Sequence, residues 1–203
     1  MGENVVEVAS LRPDYLGFIF YEKSPRNFTR SLPALPDGIQ RVGVFVDASP
    51  AFILDQYTSL NLHVIQLHGA ESADFVQGLR QQLPEDIQIW KVFSIRDQFD
   101  FDRLQPYEGL VDAFLFDTKG QQPGGTGLVF DWSVLRGYSS TTPIVLSGGI
   151  GLEQWPAIED LLASELPIAV IDVNSRFESA PGLKAIEPLK NFQKKLKERE
   201  HEY

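Results

Sequence analysis

Asp112-Ala-Phe-Leu-Phe-Asp117-Thr-Lys119, followed closely by Gly124-Gly-Thr-Gly127, is the stretch whose reading decides the fold. Its alternation is that of a β-strand. Ala113, Leu115 and Asp117 face one side, and Phe114 and Phe116 face the other. Two phenylalanines suit a face covered by helices. A carboxylate at the C-terminal end of the opposite face suits the mouth of a parallel barrel, where barrel enzymes keep their chemistry.

Six further apolar segments of the same kind flank this one. Tyr15–Tyr21, Val42–Val46, Val64–His68 and Ile87–Val92 precede it, and Pro143–Ser147 and Ile168–Val173 follow. Helical patterns separate most of them: Ala51–Tyr57, Ser72–Gln82, Asp97–Leu104, Asp131–Gly137 and Glu153–Ala163. A helix over Glu3–Ser10 opens the chain, and one over Ile186–Glu200 closes it. Between Arg26 and Gly38, Pro33 and Pro36 keep any helix short. Strands recur at a spacing of roughly 25 residues, the mark of repeated βαβ units and a parallel sheet. The expected architecture is a single α/β domain over residues 1–203, a (βα)8 TIM barrel whose first β-strand is absent from these residues. An open doubly wound sheet is the competing arrangement. Polar residues at four separate strand ends, His68, Asp117, Ser147 and Asp172, favour the barrel, because an open sheet gathers such residues at one switch point.

The 203 residues are enough for one sizeable core, with 43% hydrophobic and 23% charged residues. A formal net charge of -10 argues against a nucleic-acid partner, which needs a basic patch. A small phosphate remains compatible, since backbone amides can hold one locally. No cysteine is present, which excludes disulfides, thiolate metal sites and a thiol nucleophile within these residues. The three histidines, His63, His68 and His201, form no metal-ligand pattern. No apolar run is long enough to span a membrane, and no signal peptide is visible, so a cytoplasmic protein is expected.

Several residues are candidates for chemistry. Gly148-Gly149 and Asn174-Ser175 follow adjacent strands, in the position where barrels often hold phosphate. Gly148-Gly149 is alternatively a tight turn. Asp117 is either a general acid or base, or a structural carboxylate paired with Lys119. Arg26 is either a fork for a substrate carboxylate or a solvated surface group. His68 is either catalytic or a satisfied strand-end residue, and Lys91 either a Schiff-base lysine or half of an internal ion pair. Residues 119–127 form either a lid or a long turn.

Taken together, these segments resemble the phosphoribosylanthranilate isomerase family of tryptophan biosynthesis. The resemblance rests on Gly17-Phe-Ile-Phe-Tyr-Glu-Lys-Ser-Pro-Arg26, Arg41–Val46, Ile65-Gln-Leu-His-Gly69, Phe116-Asp-Thr-Lys119 and Gly124–Gly127 with Phe130-Asp-Trp132. It continues through Leu146-Ser-Gly-Gly149 and Asp172-Val-Asn-Ser175 with Pro181-Gly182. These pieces occur in family order and cover nearly the whole chain. The resemblance implies a cofactor-free, metal-free intramolecular oxidoreductase interconverting aldose and ketose. Its reaction would be the Amadori rearrangement of N-(5-phosphoribosyl)anthranilate to 1-(2-carboxyphenylamino)-1-deoxyribulose 5-phosphate. Asp117 matches the family's general acid and Arg26 its contact to the anthranilate carboxylate. Gly148, Gly149, Asn174 and Ser175 match its phosphate loops, and Asp172 a polar position of the active site. The family begins with a strand ending in Lys-x-Cys-Gly, whose cysteine is the general base; the match here starts just after it. A glycine is common in the family where Arg176 stands. A catalytically inactive barrel that binds a phosphosugar or a partner is the rival reading, and another phosphate-binding barrel enzyme a third. Homo-oligomerisation and fusion to a second enzyme are left open by the sequence.

Overall fold

Seven parallel strands lie side by side in the order in which they occur in the chain. They are β1 (Tyr15–Phe20), β2 (Gln40–Phe45), β3 (Val64–Leu67), β4 (Gln88–Ile95), β5 (Ala113–Thr118), β6 (Ile144–Ser147) and β7 (Ile168–Ile171). The structure is a computed structural model that describes residues 4–95, 98–118 and 132–200. The glycine-rich stretch at residues 124–127 lies outside these residues, as do Lys119 and the expected lid.

The α-helices are α1 (Val5–Ser10) ahead of β1, α2 (Pro50–Leu60), α3 (Ala73–Arg80) and α4 (Trp155–Leu162) between strands, and α5 (Ile186–Glu200) after β7. Ser49 and Ser72 start α2 and α3, each accepting a hydrogen bond from the backbone N–H three residues on. The two short helices expected near 97–104 and 131–137 form instead as 3-10 turns, Phe101–Tyr107 and Trp132–Gly137. Pro106 removes a backbone donor from the first.

Period-two alternation sorts the strand residues into two apolar clusters. Phe114 and Phe116 join the large cluster under the helices, with Phe18, Phe45, Ile65, Ile89 and Leu146. Ala113 and Leu115 join a second cluster inside the curl of the sheet, with Val42, Val44, Val64, Trp90, Val92 and Val145. The strands β3 and β6 are buried at every residue, as expected when both faces of a parallel sheet are covered.

The two outer strands differ. In β7, Ala169 is exposed and its three neighbours are half-buried; in β1 every second residue is half-buried. Residues of both strands line one cavity of 990 Å³ that continues to α1 and α5. The sheet therefore curls until its first and last strands face each other across a gap. Among the described residues no strand pairs with either facing edge, apart from the single bridge Ile19–Asn27. The expected barrel with one strand place empty is the architecture observed.

Unpaired edges leave backbone donors and acceptors without a ladder and invite association. Fusing an apolar strand as long as β1 ahead of α1 is expected to raise the thermal midpoint and suppress association. A fused segment carrying a central proline is expected to do neither. Equal midpoints and equal association for the two fusions would contradict a strand-shaped gap.

Candidate active site

The alternation that sends Leu115 inward also sends Asp117 inward at the C-terminal end of β5. It does the same for Ser147 on β6, and for His68 and Asp172, which directly follow β3 and β7. Asp117 stands in register between Ser94 and Ser147. All but Ser94 line the same cavity, at its mouth.

Two pairs organise this mouth. The His68 Nε2 lies 3.5 Å from the Asp117 Oδ2, with both side chains partly open to the cavity. The Gln66 Nε2 lies 3.4 Å from the other ring nitrogen, Nδ1. An amide donating to Nδ1 leaves the proton of a neutral imidazole on Nε2, directed at Asp117. The second pair is Ser147 and Asp172, whose Oγ and Oδ2 are 3.1 Å apart. Burial pushes the Asp172 carboxyl above the usual aspartate range, against the pull of the Ser147 hydroxyl and of nearby Lys184.

The loop that carries His68 is held from beneath. Lys91, on the helix-facing side of β4, is buried and its Nζ lies 2.9 Å from the Glu71 Oε2 and 2.8 Å from the Gly69 carbonyl. Glu71 accepts from the Gly69 and Asp47 backbone N–H groups, and Asp47 accepts from that of Ala70. Lys91 is thus committed to an internal ion pair that fixes the turn after β3. It points away from the cavity, which removes it as a Schiff-base candidate.

The loops after β6 and β7 meet. Gly148 and Gly149 take φ of +85° and +65°, a left-handed conformation that side chains disfavour. A Cβ on Gly151 would sit 2.9 Å from the Arg176 Cδ, so the absence of a side chain there lets the two loops pack together. Asn174 and Ser175 are exposed at the start of a short 3-10 turn, Ser175–Phe177. Among the described residues no cluster of His, Cys, Asp or Glu could hold a metal ion.

A family model described as N-(5'phosphoribosyl)anthranilate (PRA) isomerase matches residues 1–195. The chain belongs to this family. The chain is 41% identical over 197 residues to the N-(5'-phosphoribosyl)anthranilate isomerase of Parabacteroides distasonis, covering 94% of this chain and 86% of that one. The crystal structure of phosphoribosyl anthranilate isomerase from Thermotoga maritima superposes with a TM-score of 0.74 at 32% identity, covering 92% of this chain and 90% of that one. A phosphoribosyl anthranilate isomerase solved in complex with reduced 1-(o-carboxyphenylamino)-1-deoxyribulose 5-phosphate superposes with a TM-score of 0.72 at 29% identity, covering 91% and 89%.

Within this isomerase-family fold, all seven site residues expected from the sequence line one cavity: Arg26, Asp117, Gly148, Gly149, Asp172, Asn174 and Ser175. Arg26 is not the solvated surface group of the alternative reading. Its Nη2 lies 2.6 Å from the Oε2 of Glu178, which is buried. Glu178 and Lys184 belong to a small antiparallel hairpin, β8 (Glu178–Ala180) and β9 (Leu183–Lys184), that the sequence analysis did not anticipate. Pro181-Gly182 was the available turn signal.

Replacing Asp172 with Asn removes a half-buried carboxyl whose pKa is raised. Below the ordinary Asp pKa of about 3.9 both versions are neutral and should be equally stable. Above that pH the unfolded parent ionises while its native carboxyl still holds the proton, so the parent loses stability until pH passes the elevated native value. The thermal midpoint of Asp172→Asn should therefore move above the parent's as pH rises, then level off. A midpoint difference independent of pH would show that burial does not dominate this carboxyl.

Proposed function

We propose that this chain catalyses the Amadori rearrangement of N-(5-phosphoribosyl)anthranilate to 1-(2-carboxyphenylamino)-1-deoxyribulose 5-phosphate, a step of tryptophan biosynthesis, in the cytoplasm. Residues 1–203 act as one barrel domain in this reading. The observation that carries it is the arrangement of Asp117, two glycine- and amide-rich loops and Arg26 around a single cavity in a fold of this family.

Asp117 is the general acid in this reading. It gives its proton to the ribose ring oxygen as the C1–O bond breaks, and the anthranilate nitrogen supplies the electron pair that forms the C1–N double bond. Loss of the C2 proton then gives an enolamine, which tautomerises to the ketose. The His68 Nε2 beside Asp117 orients the carboxyl. The loops at Gly148-Gly149 and Asn174-Ser175 hold the phosphate through backbone amides. Arg26 takes the anthranilate carboxylate, for which a planar guanidinium is suited. No cofactor is required, because the rearrangement is an internal redox step in which C1 is reduced as C2 is oxidised.

The C2 proton needs a base. The family resemblance assigns that task to a cysteine on a strand ending in Lys-x-Cys-Gly, and these 203 residues contain no cysteine. The gap between β1 and β7 is the place for such a strand, and full turnover is expected only when it is filled.

In a version carrying that strand, Asp117→Asn should lower turnover by about a hundred- to ten-thousand-fold, the usual contribution of a positioned acid. The Michaelis constant should change little, since the amide keeps the size and loses only the proton. Decay of substrate fluorescence measures both. Turnover within a few-fold of the parent would assign Asp117 a structural role.

A further inference from the structure

The β8–β9 hairpin places one carboxylate between two cations, Arg26 and Lys184, that both line the cavity. Arg26 reaches Glu178 with two nitrogens: Nε lies 3.1 Å from Oε1 and 2.8 Å from Oε2, and Nη2 lies 2.6 Å from Oε2. The Lys184 Nζ lies 2.9 Å from Oε1, and the Gly182 backbone N–H donates to the same oxygen. That ammonium also donates to the Asn174 Oδ1, at 2.5 Å. The Glu178 and Lys184 side chains are only 4% and 7% exposed, so little water can substitute for these partners.

The chain path makes this cluster a bridge. Arg26 follows β1, whereas Asn174, Glu178 and Lys184 follow β7, so the Arg26–Glu178 pair ties together the two strands that flank the gap. Asn4, at the start of α1, adds a second tie, exchanging two hydrogen bonds with the Lys184 backbone. Burial by itself would raise the Glu178 carboxyl, but hydrogen bonds from Arg26 and Lys184 overcome it and hold its pKa at about 2. The carboxylate therefore stays charged over the whole neutral range. Both cations line the cavity, so an anionic ligand can meet them there.

We propose that Glu178 is a positioning residue that sets both ends of the substrate site at once, the carboxylate end through Arg26 and the phosphate end through Lys184 and Asn174. This deepens the isomerase reading and rests on its assignment of Arg26 and the Asn174 loop. Glu178 itself does not touch the reacting atoms. A bidentate carboxylate fixes a guanidinium plane more tightly than a single bond does, and a buried ammonium held by one carboxylate cannot swing away from Asn174.

Calorimetric dissociation constants for inorganic phosphate and for anthranilate report the two ends separately. Glu178→Gln should weaken both by tenfold or more. Arg26→Lys should weaken anthranilate most and phosphate by a smaller factor, through Glu178. Lys184→Met should weaken phosphate by tenfold or more and anthranilate by a smaller factor, because Lys184 reaches Arg26 only through Glu178. A Glu178→Gln variant that loses one affinity or neither overturns the coupling. If that variant has no cooperative thermal transition, Lys184→Met decides: an altered anthranilate constant supports the coupling, and an unaltered one overturns it. A parent chain that binds neither ligand overturns the isomerase reading together with this inference. Parent binding with unchanged variants removes the inference alone.

Discussion

A parallel ladder with a side-chain period of two is the constraint on which the site depends. Each strand of this sheet can turn only alternate residues towards the enclosed space. Once Ala113 and Leu115 pack inward against Val92 and Val145, Asp117 has no freedom to face the helices. The same parity places Ser147 and Asp172 on the inner side, and the parallel direction brings all of them to one end. A one-residue slip of β5 would bury Asp117 under Phe99 and Tyr138 and turn Phe116 to the mouth. The aromatic contacts of Phe116 with Phe99, Phe101 and Tyr138 oppose that slip.

Charged groups buried near the mouth add a second layer of order. Lys91 and Glu71 are almost wholly removed from water, as are Glu178 and Lys184. Buried ion pairs are poor sources of net stability, because desolvation offsets most of the attraction. Breaking one by removing a single partner is costly, on the order of 3–5 kcal/mol. Such pairs therefore act here as constraints on geometry: one fixes the turn that carries His68, the other the loops on both sides of the gap. Unlike the helix-facing aromatics, neither pair can be replaced by generic apolar packing without losing a hydrogen bond to a loop.

Much of this arrangement was legible in the sequence. The seven strands could be read because each is a short apolar run with period-two contrast, and Phe114 and Phe116 showed which face of β5 lies under helices. Asp117 and Asp172 could be placed because parity is a local property. The residues that were not legible depend on long-range pairing. The partner of Arg26 lies 152 residues away, on a hairpin whose strands have three and two residues, too short to show any period. Lys91 was read with two meanings because its fate depended on Glu71, which sits in a turn with no pattern of its own. The 3-10 turns near Leu104 and Leu135 read as α-helices because i, i+3 spacing of apolar residues suits both.

The account stands or falls on whether one phosphorylated, carboxylated ligand spans this cavity in the stated direction. A crystal structure of the chain with reduced 1-(o-carboxyphenylamino)-1-deoxyribulose 5-phosphate, the ligand of a solved relative, tests this most directly. The account predicts the phosphate between Gly148-Gly149 and Asn174-Ser175, the carboxylate on Arg26 and the sugar within hydrogen-bond reach of Asp117. A ligand bound in the reverse direction, or outside the cavity between β1 and β7, would contradict it.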